Sequence, residues 1–238
     1  MKIKMNLKKI LSLLIFIIVC APSFSQNWKQ SVFSQLSVAK TRSVNADSAA
    51  VEYFYNVVNQ NFHGSAGIQI AEKQYAFYLC PFYNFYSKNG KSFGAVLDLE
   101  FEKYDDISYR SNLFLGFTWD VFFESSRIGI YGNVMGGRKS SRLIGFEDLD
   151  PLVTWNPAVN ATVYYLATEA LTLSFSLNSS EPFYRPDFFA PIISTSASFR
   201  VTDKFFVSGY VGIRGIDLCI LSSYVDSFVF KIGLGVDL

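Results

Sequence analysis

Phe93-Gly94-Ala95-Val96-Leu97-Asp98-Leu99-Glu100-Phe101-Glu102 is the stretch that decides how this chain folds. Phe93, Ala95, Leu97, Leu99 and Phe101 alternate with Gly94, Val96, Asp98, Glu100 and Glu102. Successive side chains of an extended strand point to opposite faces, so this period of two makes one face wholly apolar and the other increasingly acidic. The next segment repeats the pattern, with Tyr109, Leu113, Leu115, Phe117, Trp119 and Val121 opposite Arg110, Asn112, Gly116, Thr118 and Asp120. Leu171, Leu173, Phe175 and Leu177 alternate with Thr172, Ser174, Ser176 and Asn178. The last stretch sets Phe228, Phe230, Ile232, Leu234, Val236 and Leu238 against Lys231, Gly233, Gly235 and Asp237.

A soluble β-sandwich alternates too, so the composition of the two faces has to discriminate. The polar face is rich in Gly, Ser, Thr and Asn with scattered charges, which suits a crowded, hydrated lumen. The apolar face ends in an aromatic residue at many strand termini, as at Tyr75, Tyr109, Trp119, Phe123, Trp155 and Tyr165. Aromatic residues at both ends of lipid-facing strands form the interfacial girdle of an outer-membrane barrel. Beyond the N-terminal region no stretch pairs helical spacing with strong helix formers, and β-branched and aromatic residues dominate.

Over 238 residues the chain is 50% hydrophobic, 17% aromatic and 17% charged, which excludes disorder. The net charge of +1 is uneven: Lys2, Lys4, Lys8 and Lys9 precede any acid, the first of which is Asp47. Four lysines, the apolar run Ile10 to Cys20, and small residues at Ser23 and Ser25 predict a secretory signal peptide over 1–25, too short in its apolar part to span a bilayer. Lipid attachment at Cys20 is the rival, disfavoured by the bulky Val19. The remaining chain, 26–238, holds 17 basic and 20 acidic residues and carries no nucleic-acid footprint. Cys80 and Cys219 sit in apolar surroundings without metal-ligand spacing, so neither a disulfide framework nor a metal or other cofactor is expected.

Twelve strands are expected, near 30–39, 51–58, 62–71, 75–86, 92–102, 108–121, 127–135, 152–166, 171–178, 191–201, 205–214 and 228–238, with ten as the alternative count. If the last strand ends in the periplasm, the short connections, such as Lys88-Asn89-Gly90-Lys91 and Thr202-Asp203-Lys204, fall there. The longer ones at 40–50, 136–151, 179–190 and 215–227 fall outside, while 72–74 and 103–107 are short external exceptions. Pro81 and Pro157 lie mid-strand, where each demands a bulge or irregularity because proline cannot donate to the ladder. The fold class is therefore an all-β, antiparallel up-and-down transmembrane barrel in one domain, 26–238.

Over essentially all of 26–238 the residues resemble the small up-and-down β-barrels of bacterial outer membranes, as a class and not as a particular family. In that class the C-terminal strand is read by the barrel-insertion machinery as alternating hydrophobics ending in an aromatic. Phe230, Ile232, Leu234 and Val236 match, and Leu238 departs from the aromatic. The resemblance implies outer-membrane localisation with membrane lipids and the insertion machinery as partners.

The polar face carries Glu52, Asp98, Glu100, Glu102, Arg110, Asp120, Arg127, Arg200, Arg214 and Lys231 as candidate lumen-lining charges. Acids concentrate in strands four to six and bases later, so opposed walls would set a transverse field that selects small polar or zwitterionic solutes. The alternative is that these charges interlock and fill the interior. His63 is the one histidine; it reads as solvated or lumen-lining, and no enzyme is expected. The segments Gly145 to Pro151 and Glu181 to Phe189 mix aromatic, acidic and proline residues and either bind ligands outside or fold inward to constrict the barrel. The expectation is a small passive diffusion channel, with a non-conducting surface-binding barrel and a secreted soluble sandwich as alternatives.

Overall fold

The structure, a computed structural model, describes residues 28–41, 46–146, 149–183, 188–216 and 224–238. The expected signal peptide and Cys219 lie outside the described residues. Twelve strands run β1 (Lys29–Thr41), β2 (Ala46–Val58), β3 (Phe62–Ala71), β4 (Gln74–Lys88), β5 (Lys91–Tyr104) and β6 (Ser108–Phe123). They continue as β7 (Ile128–Leu143), β8 (Leu152–Leu166), β9 (Leu171–Asn178), β10 (Ile192–Arg200), β11 (Phe205–Ile216) and β12 (Tyr224–Asp237). Each pairs antiparallel with its chain neighbours, and β1 pairs with β12 from Ser31↔Asp237 to Thr41↔Ser227, which closes the sheet. Closure leaves no unpaired strand edge, the condition for crossing hydrocarbon with strands.

Burial follows the predicted alternation. On β5 Gly94, Val96, Asp98, Glu100 and Glu102 are buried inside while Phe93 and Phe101 face out. Leu115 (62% exposed), Ile232 (67%) and Leu234 (68%) stand on the outer surface. A soluble sandwich would bury that apolar face between two sheets; here it is wrapped around a polar interior, and lipid is the solvent it fits.

Strand ends differ from expectation mainly at β7, which continues eight residues beyond 135 to Leu143 and shrinks the connection to 144–151. Gly136-Gly137-Arg138-Lys139-Ser140-Ser141-Arg142 has no apolar alternation, so periodicity misses it. Pairing on both sides, Ser108↔Leu143 and Ser141↔Leu152, holds it extended. The two prolines behave differently. At Pro81 the β4–β5 ladder has no pair for Cys80 or Pro81, and a register shift follows between Asn84 and Tyr86. Pro157 pairs with Gly136 without a shift, contrary to expectation. Val159 exchanges hydrogen bonds with Ser179 on the β9 side, so Pro157, two residues away, turns its donor-free nitrogen to the same side, beyond the last β8–β9 pair at Asn160↔Asn178.

Every connection at one end is short, two to four residues, while the other end mixes the short 72–73 and 105–107 with the long 144–151 and 179–191. Asn89 (φ 53°) and Gly90 (φ 69°) close the β4–β5 hairpin, both left-handed as a two-residue hairpin loop requires. A Cβ at Gly90 would lie 2.8 Å from the Phe122 carbonyl oxygen. This end is assigned to the periplasm and the end bearing 144–151 and 179–191 to the exterior.

The interior is filled unevenly. Near the periplasmic end Phe33 stacks on Phe206 at 5.8 Å over Gly233 and Gly235, whose missing side chains make room for the two rings. One wall is apolar, with Val96, Phe114, Met135 and Ala158 packed together beside Cys80 and Phe82.

Candidate functional site in the barrel lumen

β5 supplies the acidic wall because strand parity turns Asp98, Glu100 and Glu102 inward together. Register then selects their partners. Arg110 lies across from Glu102 and forms an ion pair with it, while its guanidinium is 4.0 Å from Glu100 Oε1. Asn112, across from Glu100, donates to Glu100 Oε2 at 2.7 Å.

On the opposite side Lys231 of β12 is the hub. Its Nζ is 3.5 Å from Glu52 Oε2 and 3.3 Å from Glu181 Oε1, and it lies 5.1 Å from the centroid of the Tyr210 ring. Glu52 is wholly buried and also accepts hydrogen bonds from Gln35 and, at 3.0 Å, from Gln69. Gln35, Glu52 and Gln69 are consecutive register partners across β1, β2 and β3. A buried carboxylate is tolerable on such terms, with a cation and amide donors replacing its water.

Glu181 reaches Lys231 because the chain after β9 turns into the barrel. Ser179 exchanges hydrogen bonds with the Val159 backbone, its Oγ accepting from Val159 N at 2.6 Å. Ser180 N donates to Asn160 Oδ1 at 3.0 Å, and Ser180 Oγ donates to Asp98 Oδ2 at 3.0 Å. Asn178 steadies Glu181 at 2.8 Å, and Phe183 inserts between Phe54 (5.4 Å between centroids) and Tyr78 (6.0 Å). Residues 179–183 thus cross the lumen from the β8–β9 wall to β12 and β2–β4. This is the inward-folding arrangement of the two considered for the segment beginning at Glu181; 184–187 lie outside the described residues.

The strap leaves two cavities. One of about 280 Å³ has Phe183 at its edge and is lined by Arg110, Arg214, Glu102, Gln69 and Asp226. Another, of about 180 Å³, lies among Tyr78, Cys80, Asp98, Asn160 and Ser180.

Of the remaining predicted charges, Asp120 sits towards the periplasmic end and accepts from Tyr164 Oη at 3.1 Å. Arg214 Nε donates to the Ala190 carbonyl at 3.2 Å, close to the strap. Arg127 is not in the lumen wall: it ends the exposed β6–β7 turn with φ 56°, and β7 begins at Ile128. Arg200 is at the periplasmic rim, 44% exposed, paired with Asp237 at 2.6 Å and donating to the Asp203 carbonyl. Acids and bases therefore meet pairwise around the lumen as well as standing on opposed walls. Gln35, Gln69 and Ser180 escaped the sequence reading, which places Asn112 on the polar face of its strand and Glu181 and Phe183 in a segment that either binds outside or folds inward. Strand parity could have flagged Gln35 and Gln69, since each shares the inward face of its strand; nothing in periodicity marks Ser180. His63, at the periplasmic end of β3, stacks on Phe82 at 4.4 Å.

A closed twelve-stranded antiparallel barrel with an apolar belt and a polar, charged interior is a transmembrane barrel of the bacterial outer-membrane class. No protein-family model matches the chain, and neither does any curated protein sequence. Among solved structures the chain is similar to the KdgM porin, with a TM-score of 0.59 at 8% identity over 87% of this chain and 99% of that one. It is similar also to the NanC porin (TM-score 0.55, 8% identity, 86% and 100% covered). A third likeness is to the translocator domain of the autotransporter NalP from Neisseria meningitidis (TM-score 0.53, 7% identity, 96% and 95% covered). At these identities the shared property is the outer-membrane barrel fold.

Proposed function

We propose that this barrel is a narrow passive diffusion channel for small polar solutes, with 179–183 as its constriction. The observation that carries the reading is the charged track from Glu102 and Arg110 in the outer cavity to Asp98 and Lys231 beside the strap. Groups of both signs a few ångströms apart suit solutes that carry both signs or neither, and disfavour ions of a single sign. A similar barrel, the KdgM porin, has been solved in complex with disordered oligogalacturonate, a polyanion, which supports solute entry into a barrel of this fold and not the charge selectivity inferred for this lumen. Two further elements belong to this reading: residues 1–25 as a cleaved export signal, and β12, with Phe228, Phe230, Ile232 and Leu234 facing lipid, as the strand engaged by the insertion machinery.

The test is single-channel conductance of the purified protein in planar bilayers. Discrete steps are expected, and Asp98→Lys with Glu102→Lys should move the reversal potential towards anion preference. A correctly inserted but silent protein would instead favour the second reading, a surface-binding barrel closed by its own strap, for which the hydrogen-bonded anchoring of Ser180 is the supporting observation.

A further inference from the structure

The unexpected upper half of β7 carries charge on the wrong face. Parity places Lys139 inward, where it is buried, and turns Arg138 and Arg142 outward, where both are exposed. Other outward-facing charges of the described strands, such as Lys40, Lys91 and Lys103, stand within two residues of a strand end. Arg138 stands five residues in from the end of β7, between Leu113 on β6 and Trp155 on β8.

Its depth follows from geometry. Ile130, on the same face, is eight positions below; at about 3.3 Å per residue and a tilt of about 40°, Arg138 lies about 20 Å higher. Ile130 is one same-face position from Ile128, which pairs with the exposed aromatics Phe123 and Tyr165 and so marks one edge of the apolar band; that band is about 25 Å tall in such barrels, which puts Arg138 near its other edge. Trp155, 76% exposed and directly across the ladder, marks the same level as an interfacial aromatic. One step below, Gly136 also faces outward, and a Cβ there would meet nothing within 4 Å. A shallow notch therefore lies under the arginine, between Leu115 and Pro157. Two rows above, Arg142 and Lys103 flank Tyr109 across β7, β6 and β5, and Lys103 is paired with the exposed Asp106 at 3.0 Å.

We propose that this outer face of β5–β8 is a seat for a phosphorylated lipid of the outer leaflet, with Arg138 binding the phosphate, Arg142 and Lys103 reinforcing it, and an acyl chain lying along the Gly136 notch. A guanidinium at the hydrocarbon boundary needs a counter-charge that does not itself drag water into the apolar layer. A lipid phosphate supplies one at that height, in a geometry that arginine meets with two parallel hydrogen bonds. The requirement is independent of whether the lumen conducts.

The experiment titrates the detergent-purified protein with a glycolipid bearing two phosphates and with its dephosphorylated counterpart, following Trp fluorescence and bound lipid by native mass spectrometry. The phosphorylated lipid should bind about tenfold or more tightly than the other. Arg138→Gln with Arg142→Gln should erase the preference, while Arg138→Lys should keep part of it. Equal binding of the two lipids by the unaltered protein overturns the proposal, as does a preference that survives in the double variant. Displacement of the lipid by equimolar inorganic phosphate would also overturn it, since the seat would then take a free anion. If the double variant fails to show the heat-modifiable migration of a folded barrel, the two-lipid comparison on the unaltered protein and the Arg138→Lys variant still decide.

Discussion

Replacing Lys231 by methionine tests the centre of the lumen network. The substitution keeps most of the side-chain volume and removes one charge that serves two carboxylates. At 3.5 Å and 3.3 Å from Glu52 and Glu181, each pair carries about 5 kcal/mol of Coulombic attraction at an effective dielectric of about 20. Most of that is offset by the desolvation of the ions. What the variant exposes is the cost of leaving a wholly buried Glu52 without its cation, and breaking such a pair typically costs about 3–5 kcal/mol. Glu52 keeps its bonds from Gln35 and Gln69, so the lower end, about 3 kcal/mol, is expected. Urea unfolding in lipid vesicles, read by the fluorescence of Trp28, Trp119 and Trp155, measures it. Glu181 loses the cation it touches in the same variant, so the strap should loosen and conductance should rise. Adding Glu52→Gln should recover much of the lost stability, because a neutral amide no longer needs the lysine. A Lys231→Met protein within about 0.5 kcal/mol of the original, with unchanged conductance, would refute the hub.

Other outcomes follow from the same geometry. Phe183→Ala removes the ring held between Phe54 and Tyr78 and should raise single-channel conductance, with a stability loss below the roughly 3–5 kcal/mol of a fully enclosed core phenylalanine because the strap is anchored elsewhere. Gly235→Ala places a Cβ about 2.0 Å from the Phe206 ring, so the Phe33–Phe206 stack must shift; a drop of about 1–3 kcal/mol in the urea titration is expected. In a Cys219→Ser background, a small hydrophilic thiol reagent should modify Cys80, which lines the cavity beside Ser180, faster once Glu181→Gln frees the strap; an unchanged rate would show that the strap does not guard this cavity.

The sequence by itself determined the barrel, because a period of two is a local property and lipid makes its consequence strict. Phe93 to Glu102 places acids inside and aromatics outside without reference to any distant residue, and twelve such segments close a sheet. Local chemistry likewise announced the short turns, as at Asn89-Gly90, where two left-handed residues are required. The sequence was silent where pairing overrides pattern. β7 runs on through Arg138 and Arg142 because β6 and β8 hold its backbone on both sides, and Pro157 needs no bulge because β9 has stopped pairing beside it. The lumen network depends on tertiary structure most of all. Lys231 meets Glu52 because β12 closes on β1, a contact between opposite ends of the chain, and it meets Glu181 because a loop enters the barrel. Which charges face inward is written in strand parity; which of them touch is decided by closure, register and the path of the strap, and these are properties of the whole ring of strands.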